Sequence, residues 1–293
     1  MFELRRAGRT AYWREGEGGF PLLLIHGWPE TKRIWARNVE PLAEAGFEVI
    51  VPDLRGFGDS GPAPDGHYDM AASARDLHAL VHGELGHERC VVAGGDYGGA
   101  VAYDLSLRFE GFVPRMVLFN TVVPILGDAP GIGADTRQAG DYFIRQGRDA
   151  EGLAAELDTP EKRRAWVAGM YGHRFWAAPG AFTREDVDFH TEPFADAEVF
   201  RSSIGLYESA LGMRELSEKP RFFEPNPTPT LLLYGPEDHV VASDFPERMA
   251  AALPEVGGPF VVANAGHFLQ WERAELFNRA MRHFCLDTVR QPT

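Results

Sequence analysis

From residue 20 to residue 119, short continuous apolar runs alternate with stretches of helical spacing. Residues 22–26, 47–51, 89–93 and 116–119 read as strands buried on both faces of a sheet. Helices are expected over about 32–45, over 70–85 (apolar at Ala74, Leu77, Leu80, Val81 and Leu85) and, after a glycine-rich turn at 94–99, to about 109. Residues 2–15 suggest a β-hairpin turning at Gly8. This alternation predicts a parallel sheet with right-handed crossovers. It then stops. From 127 to 220 the pattern is helical and aromatic, with Tyr142, Phe143, Trp166, Tyr171, Trp176 and Tyr207 but no strand-length β-branched run. Alternation resumes at Thr230–Tyr234 behind three prolines, then at Phe260–Val262, and ends in a long helix from about 272. The expected architecture is an α/β core (1–126 and 221–293) interrupted by a helical cap (127–220). Such a cap belongs over the carboxyl ends of the strands, where α/β sheets bind ligands.

Composition narrows the class of partner. The formal net charge of -14 argues against nucleic acid or an anionic membrane surface. No apolar run approaches ~18 residues, and the first residues lack an apolar segment of signal length, so the expectation is a cytoplasmic protein without membrane insertion. Cys90 and Cys285 sit in apolar contexts and read as small buried hydrophobes rather than a disulfide or metal pair. The oligomeric state is not legible; a homodimer stays open.

The candidate chemistry starts at Gly94-Gly95-Asp96-Tyr97-Gly98-Gly99, between the 89–93 strand and the next helix. Its form is that of a nucleophile elbow, G-x-S-x-G, with Asp96 in place of serine. A carboxylate there suits displacement at a saturated carbon, giving an alkyl ester that water later cleaves. Two further features follow later strands: Asp238 in Gly235-Pro236-Glu237-Asp238-His239, and His267 in Ala265-Gly266-His267-Phe268. Taken singly, each could be a turn residue or helix cap. Together they stand in the order nucleophile, acid, histidine. His26-Gly27-Trp28-Pro29 ends an early strand and can present the Trp28 N–H beside that of Tyr97 as an oxyanion hole.

Two apparent motifs lead elsewhere. Gly56-Phe57-Gly58-Asp59-Ser60-Gly61 matches G-x-G-x-x-G, but a proline-rich loop follows it instead of a helix, against a dinucleotide site. His78, His82 and His87 lie on a helix face and at its end, and read as solvated or capping groups rather than metal ligands.

Most of the chain resembles the α/β-hydrolase superfamily in its Asp-nucleophile branch of epoxide hydrolases and haloalkane dehalogenases. The resemblance is carried by His26-Gly27-Trp28-Pro29-Glu30, by Asp53-Leu54-Arg55-Gly56-Phe57-Gly58-Asp59-Ser60, and by the elbow, Asp238 and His267. It implies an α/β-hydrolase fold with an inserted cap, and hydrolysis of a small apolar epoxide to a vicinal diol without metal or organic cofactor. Asp96 would form an alkyl ester, hydrolysed by water that His267, oriented by Asp238, activates. The family's two cap tyrosines match Tyr142 and Tyr207 by position, with Tyr171 in reserve, and Trp28, Tyr171 and Phe268 are expected to wall the pocket. Two positions depart from the family: Gly95 stands where a histidine is usual, and Tyr97 where an aromatic residue, often tryptophan, is usual.

A haloalkane dehalogenase would share Asp96, His267 and Asp238 but needs indole donors for the halide. Tyr97 supplies none, which leaves Trp28, Trp166 and Trp176. A natural-product hydrolase or non-redox tailoring enzyme on the same scaffold is another alternative. A non-catalytic binding protein on this fold is the reading from a different class.

Overall fold

A computed structural model describes residues 2–122, 140–172, 176–241 and 244–290. Eight strands are present: β1 (Arg5–Ala7), β2 (Thr10–Glu15), β3 (Phe20–Ile25), β4 (Phe47–Pro52), β5 (Val91–Gly95), β6 (Met116–Thr121), β7 (Thr230–Tyr234) and β8 (Val256–Val261). They form one sheet in the order β1-β2-β4-β3-β5-β6-β7-β8. The β1–β2 hairpin and the β2–β4 pair are antiparallel, and every pair from β4 to β8 is parallel. Strands β4, β5 and β6 are buried along their whole length, as the unbroken apolar runs imply. Each fully buried Val, Leu or Ile contributes roughly 1.5–3 kcal/mol. The central register, and with it the position of the strand ends, is therefore firmly held.

Helices α1 (Val39–Ala43), α2 (Met70–His78) and α3 (Asp96–Arg108) lie between early strands. Between β6 and β7 come α4 (Gly140–Arg148), α5 (Ala150–Glu156), α6 (Pro160–Gly172), α7 (Arg184–Thr191), α8 (Ala197–Ser203) and α9 (Gly205–Ala210). Helix α10 (Phe245–Ala252) precedes β8, and α11 (Leu269–Glu272), α12 (Ala274–Phe284) and α13 (Leu286–Arg290) follow it. The described residues between β6 and β7 contain no strand, but the expected cap boundary at 126/127 falls outside the described residues. No helix among the described residues is long and apolar enough to cross a membrane.

Several expected elements differ. The helix over 32–45 is a 3₁₀ turn (Lys32–Trp35) followed by α1, because Pro41 lacks an N–H and is tolerated only in a first turn. The helix over 70–85 is α2 continued by π-helical turns over Ala79–Glu84. Strand β5 runs two residues past the expected end, and the helix begins at Asp96 itself. The last strand, expected at Phe260–Val262, is the edge strand β8, which starts four residues earlier at Val256 because Gly257, Gly258 and Pro259 mask its first half. Its Phe260 and Val261 are 55% and 65% exposed. The long final helix is broken at Arg273 and Cys285. Both cysteines are buried and unlinked.

Candidate active site

The switch from β5 to α3 takes place within one peptide, so Asp96 is forced to a φ of 46°, a value rare for a residue with a side chain. That turn aims the carboxylate out of the sheet edge. Asp96 Oδ1 accepts the Trp28 N–H at 2.7 Å, and the Tyr97 N–H also bonds the carboxylate. A side chain at Gly27 would collide with Asp96 Oδ1, so glycine is needed for the Trp28 loop to come this close. Thr121 Oγ1 donates to the Asp96 carbonyl at 2.5 Å and ties the elbow to the end of β6. The unusual Gly95 also has a reason: a Cβ there would run into the Phe119 ring. That ring packs on Trp35 and Phe277 and fills the space beside the turn.

His267 and Asp238 meet Asp96 from the ends of two other strands. His267 Nδ1 lies 2.8 Å from Asp238 Oδ2, and Nε2 lies 3.4 Å from Asp96 Oδ2, long for a hydrogen bond. The side chains of His267 and Asp238 are fully buried, whereas Asp96 keeps 17% of its side-chain surface exposed. Asp238 is itself fixed. Its Oδ1 accepts from Val240 N at 2.7 Å, and its Oδ2 from Asn120 Nδ2 at 2.8 Å. Asn120 ends β6 at a φ of 38° and also brackets Gly235, accepting its N–H and donating to its carbonyl. Asn120 cannot itself be the carboxylate; its amide clamps the one that is.

The charges reinforce one another. Burial alone would lower the His267 pKa, but the charge and hydrogen bond of Asp238, together with Asp96, hold it well above the ordinary value. Burial alone would raise that of Asp96. The facing imidazole and the N–H groups of Trp28 and Tyr97 outweigh it and hold the carboxyl below its usual range. Both shifts run in the direction that favours an imidazolium between two carboxylates.

Sequence reasoning passed over two neighbours. His26 Nε2 accepts from Leu54 N at 3.0 Å while Nδ1 faces its neighbour's carbonyl, and burial keeps the ring neutral. This braces the Trp28 loop against the end of β4. Glu30 Oε2 accepts Gly27 N at 2.6 Å, and Oε1 accepts Gln270 Nε2 at 2.8 Å. Burial pushes Glu30 up to about 7 against the Gly27 hydrogen bond, and the Asp96 charge adds to the rise. The signal was present, since Glu30 closes the His-Gly-Trp-Pro-Glu run, but its partner Gln270 lies 240 residues away.

A cavity of about 640 Å³, part of it continuous with solvent, opens beside Asp96. It is lined by Asp96, Tyr97, Tyr142 and Tyr207 together with apolar side chains including Met70, Val122, Phe143, Leu206 and Val240. Tyr142 and Tyr207 come from α4 and α9, with ring centroids 6.0 Å apart, and both rest on Trp28. Tyr97 commits its hydroxyl to the Tyr68 carbonyl at 3.0 Å. The three expected wall residues stand elsewhere. Tyr171 is 1% exposed and gives its hydroxyl to the Pro29 carbonyl at 2.6 Å; Phe268 stacks on it at 4.7 Å. Neither is among the described lining residues: the hydroxyl of Tyr171 is spent on Pro29, and the two rings stack on each other. The Trp28 ring lies beneath the tyrosines, and its backbone, not its ring, reaches Asp96.

The other motifs serve the scaffold. Gly58 lies against the Asp53 carboxylate, which binds Lys32 Nζ at 2.5 Å and Asp59 N at 2.8 Å. His78 stacks on Phe109 and His87 reaches Glu48 at 2.7 Å. A wider groove at the β1–β2 turn, lined in part by Arg9, Arg55, Asp65 and Asp76, holds no comparable set of nucleophile and base among the described residues.

Known proteins resemble this chain in sequence and in fold. The chain is 29% identical over 288 residues to the soluble epoxide hydrolase of Corynebacterium sp. (strain C12), covering 94% of each chain. It is 26% identical to a haloalkane dehalogenase of Bradyrhizobium diazoefficiens, covering 95% of this chain and 93% of that one. The solved structure of the epoxide hydrolase CorEH without ligand superposes with a TM-score of 0.84 at 22% identity, over 98% of this chain and 99% of that one. A family model described as the alpha/beta hydrolase fold matches residues 21–274, and the chain belongs to that family.

Proposed function

We propose that this protein is an epoxide hydrolase acting on small apolar epoxides through a covalent ester at Asp96. The observation that carries the reading is the division of labour around one carboxylate. Oδ1 accepts the Trp28 N–H, the Tyr97 N–H also bonds the carboxylate, Oδ2 faces His267, and Asp96 lines a cavity that two tyrosines share. Relatives named as epoxide hydrolases support it.

In the first step Asp96 Oδ2 attacks an epoxide carbon. The ring C–O bond breaks, and the alkoxide takes a proton from Tyr142 or Tyr207, phenols that are protonated at neutral pH. In the second, water attacks the ester carbonyl carbon while His267 Nε2 takes its proton and Asp238 stabilises the imidazolium. Oδ1 carries the tetrahedral negative charge against Trp28 N and Tyr97 N, each such donor being worth ~10²–10³ in rate. The bond from the carbonyl carbon to Oδ2 then breaks, and the leaving alkoxide takes the second water proton from the newly formed carboxyl group, which releases the diol and returns Asp96 as a carboxylate. The imidazolium proton restores the phenol. Residues 127–220, in this reading, form the cap that brings the tyrosines over the core 1–126 and 221–293.

Single-turnover reaction of excess enzyme in ¹⁸O-water tests the covalent route. Because Oδ2 leaves with the alkyl group, the first diol should be unlabelled and the peptide carrying Asp96 should gain the label. Label in the first diol would mean direct attack of water on the epoxide. Haloalkanes assayed alongside, with halide release followed, separate the dehalogenase reading. Against it, the Trp166 indole is already bonded to Gln146.

The pH dependence follows from the charges. Alkylation neutralises Asp96, so the His267 cation loses one of its two anions and releases its proton more easily. Protonated His267 cannot serve as base. Hydrolysis of the ester should therefore rise with pH and level off only above the ordinary histidine range, because Asp238 still holds the imidazolium after Asp96 is neutralised. Alkylation needs only ionised Asp96, whose pKa is held low, and should stay flat across that rise. Rapid-quench measurement of the ester fraction checks both, and a flat hydrolysis rate would exclude His267 as the base.

A further inference from the structure

One half-buried carboxylate close to His267 is used by none of the steps above. Glu272, the last residue of α11, makes no ion pair among the described residues; its acceptor contacts are all to backbone N–H groups. Oε2 accepts Gly266 N at 2.8 Å and Ala178 N at 3.0 Å, and Oε1 accepts Phe268 N at 3.0 Å. The first and last of these donors flank His267 in the chain; the other lies in the helical segment between β6 and β7. A second tie runs beside it, since His267 N donates to the Trp176 carbonyl at 2.6 Å. The Trp176 ring also meets the imidazole edge-on at 4.9 Å. The two backbones are pressed together here. A Cβ at Gly266 would lie 2.5 Å from Trp176 O and 2.8 Å from Ala178 N.

A bland role as a cap of α11 accounts for the Phe268 contact alone, because Gly266 and Ala178 lie outside that helix. Drawing a carboxylate even partly out of water is costly unless its acceptor sites are filled. Here they are filled by the peptides on both sides of His267 and by one from the segment above. We propose that Glu272 is a positioning residue that locks the His267 loop to residues 176–178, so that the imidazole is aligned for ester hydrolysis only while that segment is docked. This rests on the epoxide-hydrolase reading, and it deepens it by separating the two half-reactions. Asp96 is held by the Trp28 loop, Thr121 and its own turn, none of which Glu272 touches. Alkylation should therefore be indifferent to Glu272, whereas hydrolysis, which depends on where Nε2 points, should not.

The test is rapid-quench kinetics of Glu272→Gln with styrene oxide, with the ester at Asp96 followed by mass spectrometry. Glutamine keeps the size but cannot accept all three N–H groups. Its alkylation rate and burst amplitude should stay within about twofold of wild type, while hydrolysis slows about 10²-fold, the effect of a 1 Å misplacement. Steady-state kcat and KM should then fall together, leaving kcat/KM nearly unchanged. A merely structural loss would instead lower the burst amplitude and kcat/KM. Glu272→Asp, which keeps the charge but shortens the reach, provides the same comparison if the glutamine variant does not fold. Hydrolysis at the wild-type rate, or equal slowing of both half-reactions, overturns the proposal, as does failure of both variants to fold. Wild-type enzyme giving neither ester nor diol would remove the epoxide reading itself.

Discussion

Replacing His267 by Gln should stop turnover of an epoxide while leaving its first step intact, so that the protein becomes heavier by one substrate molecule. Loss of a general base costs typically 10²–10⁴-fold. Here that cost falls on hydrolysis, because Asp96 reaches the epoxide as a carboxylate and needs no base. Glutamine preserves much of the side-chain volume in a fully buried position, but it has no titrating nitrogen. The cationic neighbour of Asp96 is lost as well, so alkylation should slow modestly. Mass spectrometry of the intact protein after mixing with substrate should show the adduct, and peptide mapping should place it on Asp96. An adduct on another residue, or steady diol formation, would remove the pair from the roles assigned above.

The second large effect belongs to the tyrosines. Changing Tyr142 and Tyr207 together to Phe takes both candidate proton donors from the cavity and keeps the rings on Trp28. Epoxide opening would then expel a bare alkoxide. Alkylation should drop by ~10²–10⁴, and unlike His267→Gln the double mutant should accumulate no ester. Each single mutant retains one phenol and should keep partial activity. Stability should change little, since each lost hydroxyl costs about 1 kcal/mol or less when the ring stays packed. Thermal denaturation beside single-turnover kinetics checks both halves. Normal turnover in the double mutant would mean that the proton comes from elsewhere. Tyr171 would not be the next candidate, because its hydroxyl is bonded to Pro29 O.

What the sequence determined by itself was whatever short-range backbone chemistry dictates. Unbroken apolar runs marked the strands buried on both faces. Glycines around Asp96 marked a turn too tight for other residues, and the strand-end positions of Asp96, Asp238 and His267 followed from the alternation. These are local rules, read over a handful of neighbours. Even so, the strand reached two residues further than expected at the elbow, and β8 was obscured by its own glycines and proline.

Only the tertiary structure decided which side chains serve the site and which merely support it. Tyr171 and Tyr207 are alike on paper, both aromatic and both in the helical segment. Packing sends one hydroxyl to Pro29 O and puts the other residue in the cavity wall. Gly95 looked like a departure until the Phe119 ring was found against it. Asn120, Glu30 and Glu272 each tie the site to a distant part of the chain, although Glu30 and Glu272 also bond near neighbours. The distant partners lie 118, 240 and 94 residues away. Nothing in a local window couples such residues, because contacts of that separation form only when the strands and helices close around a common core.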